Sequence, residues 1–170
     1  SLHDGVVDVN VADGEVTYTD VDLVQPAAAI NKMKSKGLEI ELTQNMGIGD
    51  GAGADNPWLQ EMPDPVTKVT WDNYVTMHPS EMAEKGYNVH LGQEQAINMI
   101  DVTVNGKVLE AMPVVAQPGQ AKGTIGIALG YGKVVGNMSE PTGKNAYPLV
   151  NRAKDGAISY YGVATTADVA

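Results

Sequence analysis

The sequence contains no cysteine and no phenylalanine, and it is poor in basic residues. Without cysteine the chain can form no disulfide, thiolate nucleophile, zinc–thiolate site or cysteine-ligated iron–sulfur cluster. Without phenylalanine the core is expected to consist of Val, Ile, Leu, Met, Ala and the seven Tyr. Only 11 Lys and Arg oppose 21 Asp and Glu, which gives a formal charge of −10. Because so acidic a chain repels a phosphate backbone, we expect no nucleic-acid partner.

Long apolar runs are also absent. No run of about 18 apolar residues exists, so we expect no direct membrane insertion. The start, Ser1-Leu2-His3-Asp4, has no charged and apolar segments of the kind that make a signal peptide. The chain has 170 residues, of which 43% are hydrophobic, and both values are typical of one folded domain. We therefore predict a single domain over residues 1–170.

Short strands dominate the predicted secondary structure, because apolar and polar residues alternate in several stretches. Strands are predicted over residues 5–11, 38–44, 66–79, 112–117 and 123–132. The clearest hairpin runs from Val102 to Val108, since Asn105-Gly106 is the preferred pair for a type I′ turn.

Helices are predicted only over residues 25–37 and 79–86, each with an early Pro and a Gly at the end. His78 is expected to cap the second one. Frequent Gly and Pro favour turns and short strands over long helices. The pattern predicts a mainly β fold with short helices, in a closed or nearly closed β-barrel.

Residues 46–65 predict a long loop rich in Gly and Pro, and such loops are usually functional. The run GIGDGAG over residues 47–53 follows a strand, as a dinucleotide fingerprint does. That fingerprint needs a helix next, whereas Asp55-Asn56-Pro57 is expected to be non-helical. Residues 47–65 are therefore interpreted as a docking loop, with Trp58 either as its anchor or as a core residue that closes one end of a barrel.

Chemistry-bearing patterns are sparse. His3, His78 and His90 lack the spacing of metal ligands, so no metal site is predicted. No serine has the context of a nucleophile elbow, so no catalytic residue is predicted. The larger aromatic residues either line a pocket for a flat ligand or fill the core. These residues are Trp58, Trp71, Tyr74 and Tyr147.

Three blocks of the sequence resemble a known family: residues 56–86, 102–133 and 142–149. The most specific part is NPWLQEMPDP followed by TWDNYVT, QPGQ and ALGYG. Together the blocks resemble the C-terminal, pterin-dinucleotide-binding-type domain of the molybdopterin oxidoreductase superfamily. More narrowly, they resemble this region in the iron–sulfur subunit of alternative complex III, the bacterial quinol:cytochrome c/acceptor oxidoreductase.

The resemblance implies a double-psi-type, aspartate-decarboxylase-like β-barrel, excised from a longer chain. It further implies a non-catalytic, cofactor-free structural and interaction domain, peripheral on the periplasmic side of the bacterial inner membrane. Its partners would be other domains and subunits of a respiratory membrane complex. The family's iron–sulfur clusters lie in a separate, Cys-rich region, so no electron transfer is expected here. The alternative is a genuine binding domain for molybdopterin guanine dinucleotide in an active molybdenum or tungsten oxidoreductase.

The resemblance also carries cofactor-facing positions onto this chain. They are Asn56, Trp58, Trp71, Asn73, Gly130, Gly132 and Asn145. Amide side chains suit a guanine edge, and bare glycine backbone suits a phosphate. Only Lys133 and Lys144 stand near these positions in the sequence, whereas a pyrophosphate favours several cations. The carried-over set is therefore expected to be vestigial or ligand-facing.

Overall fold

The computed structural model describes residues 3, 5, 14, 17, 23–32, 37–90, 92, 95–152 and 154–169. The chain separates into two compact units, residues 1–34 and residues 35–170. In the first unit, helix α1 (Val24–Lys32) confirms the first predicted helix. The strand predicted over residues 5–11 lies outside the described residues except for Gly5. The single domain predicted over the whole chain stays a prediction.

The second unit is mainly β with few short helices, as the sequence predicts. Its helices are α2 (Pro57–Glu61), α3 (Pro79–Glu84) and a 3-10 turn (Tyr147–Leu149). Its strands are β1 (Leu38–Gln44), β2 (Val75–Met77), β3 (Met99–Val104), β4 (Lys107–Ala116), β5 (Thr124–Leu129), β6 (Asn151–Arg152), β7 (Ile158–Ser159) and β8 (Tyr161–Val169).

Five strands form a mixed sheet in the order β1-β5-β2-β4-β3. The pairs β1–β5 and β2–β4 are parallel, whereas β2–β5 and β3–β4 are antiparallel. Strand β8 pairs antiparallel with both edge strands of this sheet, β1 and β3. Strands β6 and β7 form a separate two-stranded ribbon.

One face of the sheet carries the core, because alternate residues of each strand point to it. The pattern is clearest in β3 and β5, where every second residue is buried. The largest fully buried side chains are all aliphatic or Met, as expected without Phe. They include Ile40, Met77, Met82, Ile100, Met112, Ile125, Ile127 and Leu129.

The turn, the helix cap and the first strand predicted from local sequence are all present. Asn105 and Gly106 have φ of 50° and 77°, which confirms the type I′ hairpin between β3 and β4. The backbone N–H of Ser80 donates to His78 Nδ1 over 3.0 Å, so His78 caps α3 as predicted. Strand β1 has the predicted bounds.

Three predicted strands were wrong in extent. The strand predicted over residues 123–132 is β5, which ends at Leu129 because Gly130 has φ of 95°. Only residues 75–77 of the stretch 66–79 form a strand, because Lys68 and Trp71 have φ of 66° and 63°, which interrupts extended backbone. Residues 112–117 are not a separate strand, since β4 continues from the hairpin through Ala111. Ala111 has φ of 52° and its N–H donates to Asp101 Oδ1, so a local irregularity lies within β4 instead of a break between two strands.

Candidate functional site

Segments that the resemblance singles out contact one another in the second unit, where Asn73 bonds to Lys144 and Gly132 packs on Asn145. One of these segments also closely approaches the glycine-rich run, at Gly130 and Gly51, whose φ values are 95° and 106°. A Cβ on Gly130 would lie 2.7 Å from the backbone N of Gly51. Because both positions need left-handed backbone and no side chain, only glycine fits either of them without strain. We call this pair the glycine contact.

The loop that carries Gly51 is tied to the residues after β5 by three hydrogen bonds. Asn45 Nδ2 donates to the Tyr131 hydroxyl over 3.0 Å, and Lys133 Nζ donates to the Gly51 carbonyl over 2.9 Å. The Tyr147 hydroxyl donates to the Asp50 carbonyl over 2.5 Å. These bonds connect the glycine-rich run and its flanking Asn45 to Tyr131, Lys133 and Tyr147.

Asn73 is a fully buried latch between segments rather than a free amide. Its Nδ2 donates to the carbonyls of Ala128 and Lys144, each over 2.9 Å, and its Oδ1 accepts from Lys144 N over 2.8 Å. Both ends of the amide are therefore used within the protein. A guanine edge would have to displace these bonds to be read by Asn73.

Gly132 and Asn145 also contact each other instead of an open space. A Cβ on Gly132 would lie 2.6 Å from the backbone N of Asn145. Gly132 N donates to the Thr142 carbonyl over 2.7 Å. The side chain of Asn145 is exposed, and its Oδ1 accepts from Tyr147 N over 3.1 Å.

Asn56 and Trp58 lie on helix α2, where the sequence analysis expected no helix. Asn56 caps it, since its Oδ1 accepts from Trp58 N over 3.0 Å. Leu59 packs on the buried Ile48, Ala54 and Tyr131, which anchors the helix from one side. Trp58 is 82% exposed, so the alternative that it is a core residue is wrong.

The four aromatic residues considered for a flat-ligand pocket do not act as one group. None of them is buried: Tyr147 is exposed, like Trp58, and Trp71 and Tyr74 are half-buried. Trp71 lines a shallow cavity of about 490 Å³ with residues 138–143, whereas Tyr74 lines another cavity. Among the tyrosines whose burial the structure describes, Tyr87 and Tyr131 are the buried ones, so the alternative that Trp58, Trp71, Tyr74 and Tyr147 fill the core is wrong.

The charges around the carried-over positions do not suit a pyrophosphate. Lys133 is already bound to the Gly51 carbonyl. Asp72 precedes Asn73, and burial raises the pKa of its carboxyl, although the Asn73 backbone hydrogen bond and Lys144 lower it. A carboxylate beside a phosphate site opposes phosphate binding. With the glycines packed on backbone and Asn73 fully bonded, the residues present do not fit a pterin dinucleotide.

The described residues include neither a metal-binding cluster nor a membrane-spanning helix. They contain no group of three or more His, Asp and Glu side chains arranged to hold a metal ion. None of their helices is long and apolar enough to cross a membrane.

A second cavity lies on the outer face of the sheet, over β1, β5 and β2. It has a volume of about 490 Å³. We call it the outer groove. Its floor includes Thr43, Thr76 and Gly126, and residues 64–67 and 117–120 form its walls.

One wall of the outer groove is a small hydroxyl and carboxyl network. The Tyr74 hydroxyl contacts Thr67 Oγ1, which donates to Asp64 Oδ1 over 3.1 Å. Burial raises the pKa of Tyr74, the hydrogen bond with Thr67 lowers it, and the charge of Asp64 raises it. No carried-over position lines this groove. Its residues carry no sequence signal of a binding site, since polar residues on an outer strand face are ordinary.

Comparisons with known proteins assign no family. No family model matches the sequence. No curated protein matches it significantly. The relationship to the molybdopterin oxidoreductases therefore stays a resemblance, carried by the sequence blocks named above.

Proposed function

We propose that this chain is a non-catalytic structural and interaction domain of a respiratory oxidoreductase subunit. In this proposal it is a double-psi-type barrel from a longer chain, peripheral on the periplasmic side of a bacterial inner membrane. It contacts other domains and subunits of that complex. The sequence resemblance to alternative complex III supplies the complex, and the geometry of the second unit supports the role.

The strand pairing supports the barrel. The pairing pattern is symmetric. If β1 is exchanged with β4, β2 with β5 and β3 with β8, the parallel pair β1–β5 becomes the pair β2–β4, which is also parallel. The same exchange turns β3–β4 into β1–β8, and both of these pairs are antiparallel. Two interlocked copies of one motif, as in a double-psi barrel, require this symmetry. The pairing of β8 with both sheet edges would close the barrel.

The observation that carries the proposed role is that the protein itself fills three of the cofactor-facing positions. Gly130 packs on Gly51, Gly132 packs on Asn145, and Asn73 bonds to two backbone segments. A domain whose segments are joined to each other at these positions is suited to scaffolding. The buried polar bonds then specify one arrangement of its loops.

Trp58 supports the interaction part of the proposal. Its side chain is 82% exposed, although the helix that carries it is held by Leu59 and by the buried Gln60, whose Nε2 donates to the Ala54 carbonyl over 3.1 Å. A rigidly presented Trp is the kind of residue that dominates binding energy at interfaces. We therefore propose Trp58 as the anchor of the docking loop, residues 47–65.

The experiment replaces Trp58 with Ala in the parent chain and, separately, in the isolated domain. Val108→Ala is the matched control, because Val108 is also an exposed apolar residue but lies on β4. We expect Trp58→Ala to leave the unfolding midpoint of the isolated domain nearly unchanged and to weaken complex assembly, measured by co-purification of the other subunits. Val108→Ala should change neither.

Two results would contradict the proposal. Intact assembly with Trp58→Ala would remove Trp58 as an anchor. Stoichiometric molybdenum or tungsten in the purified parent chain, together with a bound guanine dinucleotide, would favour the active-enzyme alternative.

A further inference from the structure

We propose that the outer groove is a binding site for a small organic cation, an alkyl amine or guanidinium compound. This proposal is independent of the scaffold role, since none of the carried-over positions lines the groove. It depends on the size of the groove, the sign of its charges and the kinds of group in its walls.

The size of the outer groove suits a small molecule. Its volume of about 490 Å³ falls within the range of about 300–1,000 Å³ that ligand sites occupy. The floor of the groove also requires a glycine at position 126, because the Thr76 hydroxyl lies where a side chain would begin. A Cβ there would lie 2.6 Å from Thr76 Oγ1, so any larger residue would disturb the floor.

The charge of the groove selects cations. Glu41 and Asp64 are the ionisable carboxyls among its lining residues, and no Lys or Arg belongs to the described lining. The chain as a whole has a formal charge of −10, so its average field has the same sign as these two carboxylates. Lys68 lies outside the lining, where its Nζ donates to the Pro65 carbonyl over 2.9 Å. An anion would therefore be repelled, whereas an amine or guanidinium would be attracted.

The groups in the walls can accept the hydrogen bonds that such a cation donates. Gln120 Nε2 donates to the carbonyls of Thr76 and Thr124 over 3.1 and 2.7 Å, which fixes the side chain and leaves its amide oxygen as an acceptor. The half-buried Tyr74 adds a π face, to which cations are attracted.

The rim of the groove can cover an alkyl chain. Met46 is 74% exposed and Val66 is 67% exposed, and both line the groove. Apolar residues this exposed gain free energy when an aliphatic chain covers them. A cationic head with a short alkyl chain therefore matches both the floor and the rim.

The test measures binding of agmatine to the protein by NMR titration of backbone amides at low and high salt. Two probes serve as controls: 4-guanidinobutyrate, in which a carboxylate replaces the amine of agmatine, and glucose as a neutral polyol. We expect saturable shifts with agmatine at Thr43, Gly126 and Gln120, weaker at high salt. The other two probes should bind more weakly.

Two pairs of variants separate the groove charge from the overall charge and from shape. Glu41→Gln should weaken agmatine binding about two- to fivefold, the loss expected of one exposed ion pair. Glu110→Gln is its control, because Glu110 is an exposed residue of β4 outside the groove. Thr43→Arg should abolish binding, whereas Thr43→Gln, of similar length but neutral, should retain most of it. Thermal unfolding verifies that each variant is folded.

Several outcomes would overturn the proposal. Agmatine could fail to bind saturably at millimolar concentration, or glucose could bind as tightly as agmatine. Equal weakening by Glu41→Gln and Glu110→Gln would show that agmatine follows only the net charge. None of these results would affect the scaffold role, which is tested through Trp58.

Discussion

The glycine contact and the outer groove differ in what occupies them. At the glycine contact, Gly51 and Gly130 approach so closely that a Cβ on either would lie within 3.0 Å of the other's backbone. The outer groove, with about 490 Å³ open, also has a glycine in its floor, Gly126, but here the missing side chain makes room for the hydroxyl of Thr76. A glycine thus serves either to let two backbone segments touch or to leave room beside a side chain. The sequence alone does not separate these two uses.

The glycine contact is tested most strongly by adding a methyl group to it. Gly130→Ala should destabilise the protein by about 3 kcal/mol or more, because it combines backbone strain with a clash against backbone that cannot rotate away. Gly156→Ala is the control, since Gly156 has φ of 88° but nothing within 4 Å of its Cβ position. We expect about 1 kcal/mol there, measured by urea unfolding. Equal losses of unfolding free energy in the two variants would mean that the close contact with Gly51 adds nothing to the effect of positive φ.

The buried latch at Asn73 should give the next largest effect. Asn73→Ala leaves the carbonyls of Ala128 and Lys144 and the Lys144 N–H without their partner, and we expect a loss of about 2–3 kcal/mol. Asn145→Ala removes a single hydrogen bond at an exposed side chain, and it should cost less than about 1 kcal/mol. Chemical unfolding of both variants checks the order. A smaller loss for Asn73→Ala than for Asn145→Ala would contradict the latch.

Gly106 lies close to no other segment, so it isolates the effect of positive φ from that of close contact. Gly106 has φ of 77° and no atom within 4 Å of its Cβ position, so Gly106→Val tests backbone strain alone. We expect a loss of about 1–2 kcal/mol, because a β-branched residue resists positive φ. Gly92→Val, at an exposed glycine without left-handed φ, should be nearly neutral. The midpoints of thermal unfolding of Gly106→Val and Gly92→Val are compared. Identical midpoints would argue against the type I′ turn.

The smallest expected effect on stability concerns Tyr131, and it develops only at alkaline pH. The hydroxyl of Tyr131 accepts a hydrogen bond from Asn45, which precedes the glycine-rich run. Burial raises the pKa of Tyr131 to about 12, above the ordinary value of 10.0, and the charges of Tyr74, Asp72 and Asp64 add to the rise. The stability that this raised pKa contributes is complete below pH 10 and is lost as the pH rises towards 12. The free energy of unfolding should therefore fall in this window.

Replacing the hydroxyl isolates this dependence. Tyr131→Phe should lose less stability between pH 10 and 12 than the unmodified protein does, as measured by chemical unfolding at fixed pH values. Tyr160→Phe, at an exposed tyrosine, is the control and should follow the unmodified protein. Parallel curves for all three proteins would rule out a contribution from Tyr131.

Local signals predicted the fold well, and long-range contacts account for what they missed. The bounds of β1, the turn at Asn105-Gly106 and the cap at His78 depend on a few neighbouring residues, and the sequence predicts all of them. The end of regular structure between residues 66 and 74 depends on positive φ at Lys68 and Trp71, which are residue types that give no such signal.

The candidate sites were harder to predict for the same reason. The resemblance pointed to segments that do contact each other. It did not predict that Asn73 and Gly130 contact other parts of the protein, because their partners lie far away in the sequence. The outer groove is formed by strands that are distant along the chain, with Glu41 on β1 and Thr76 on β2. Its lining residues come together only when the parallel pairs β1–β5 and β2–β4 have formed.

Those parallel pairs also determine when the chain can complete its fold during synthesis. Leu42 of β1 pairs with Ile127 of β5, so β1 leaves the ribosome long before its parallel partner exists. The β3–β4 hairpin can form early, because its pairing is local. Non-local pairing is slow, and an unpaired apolar strand is prone to aggregate while it waits. A truncated chain that ends before Thr124 would therefore remain in the state that chaperones recognise.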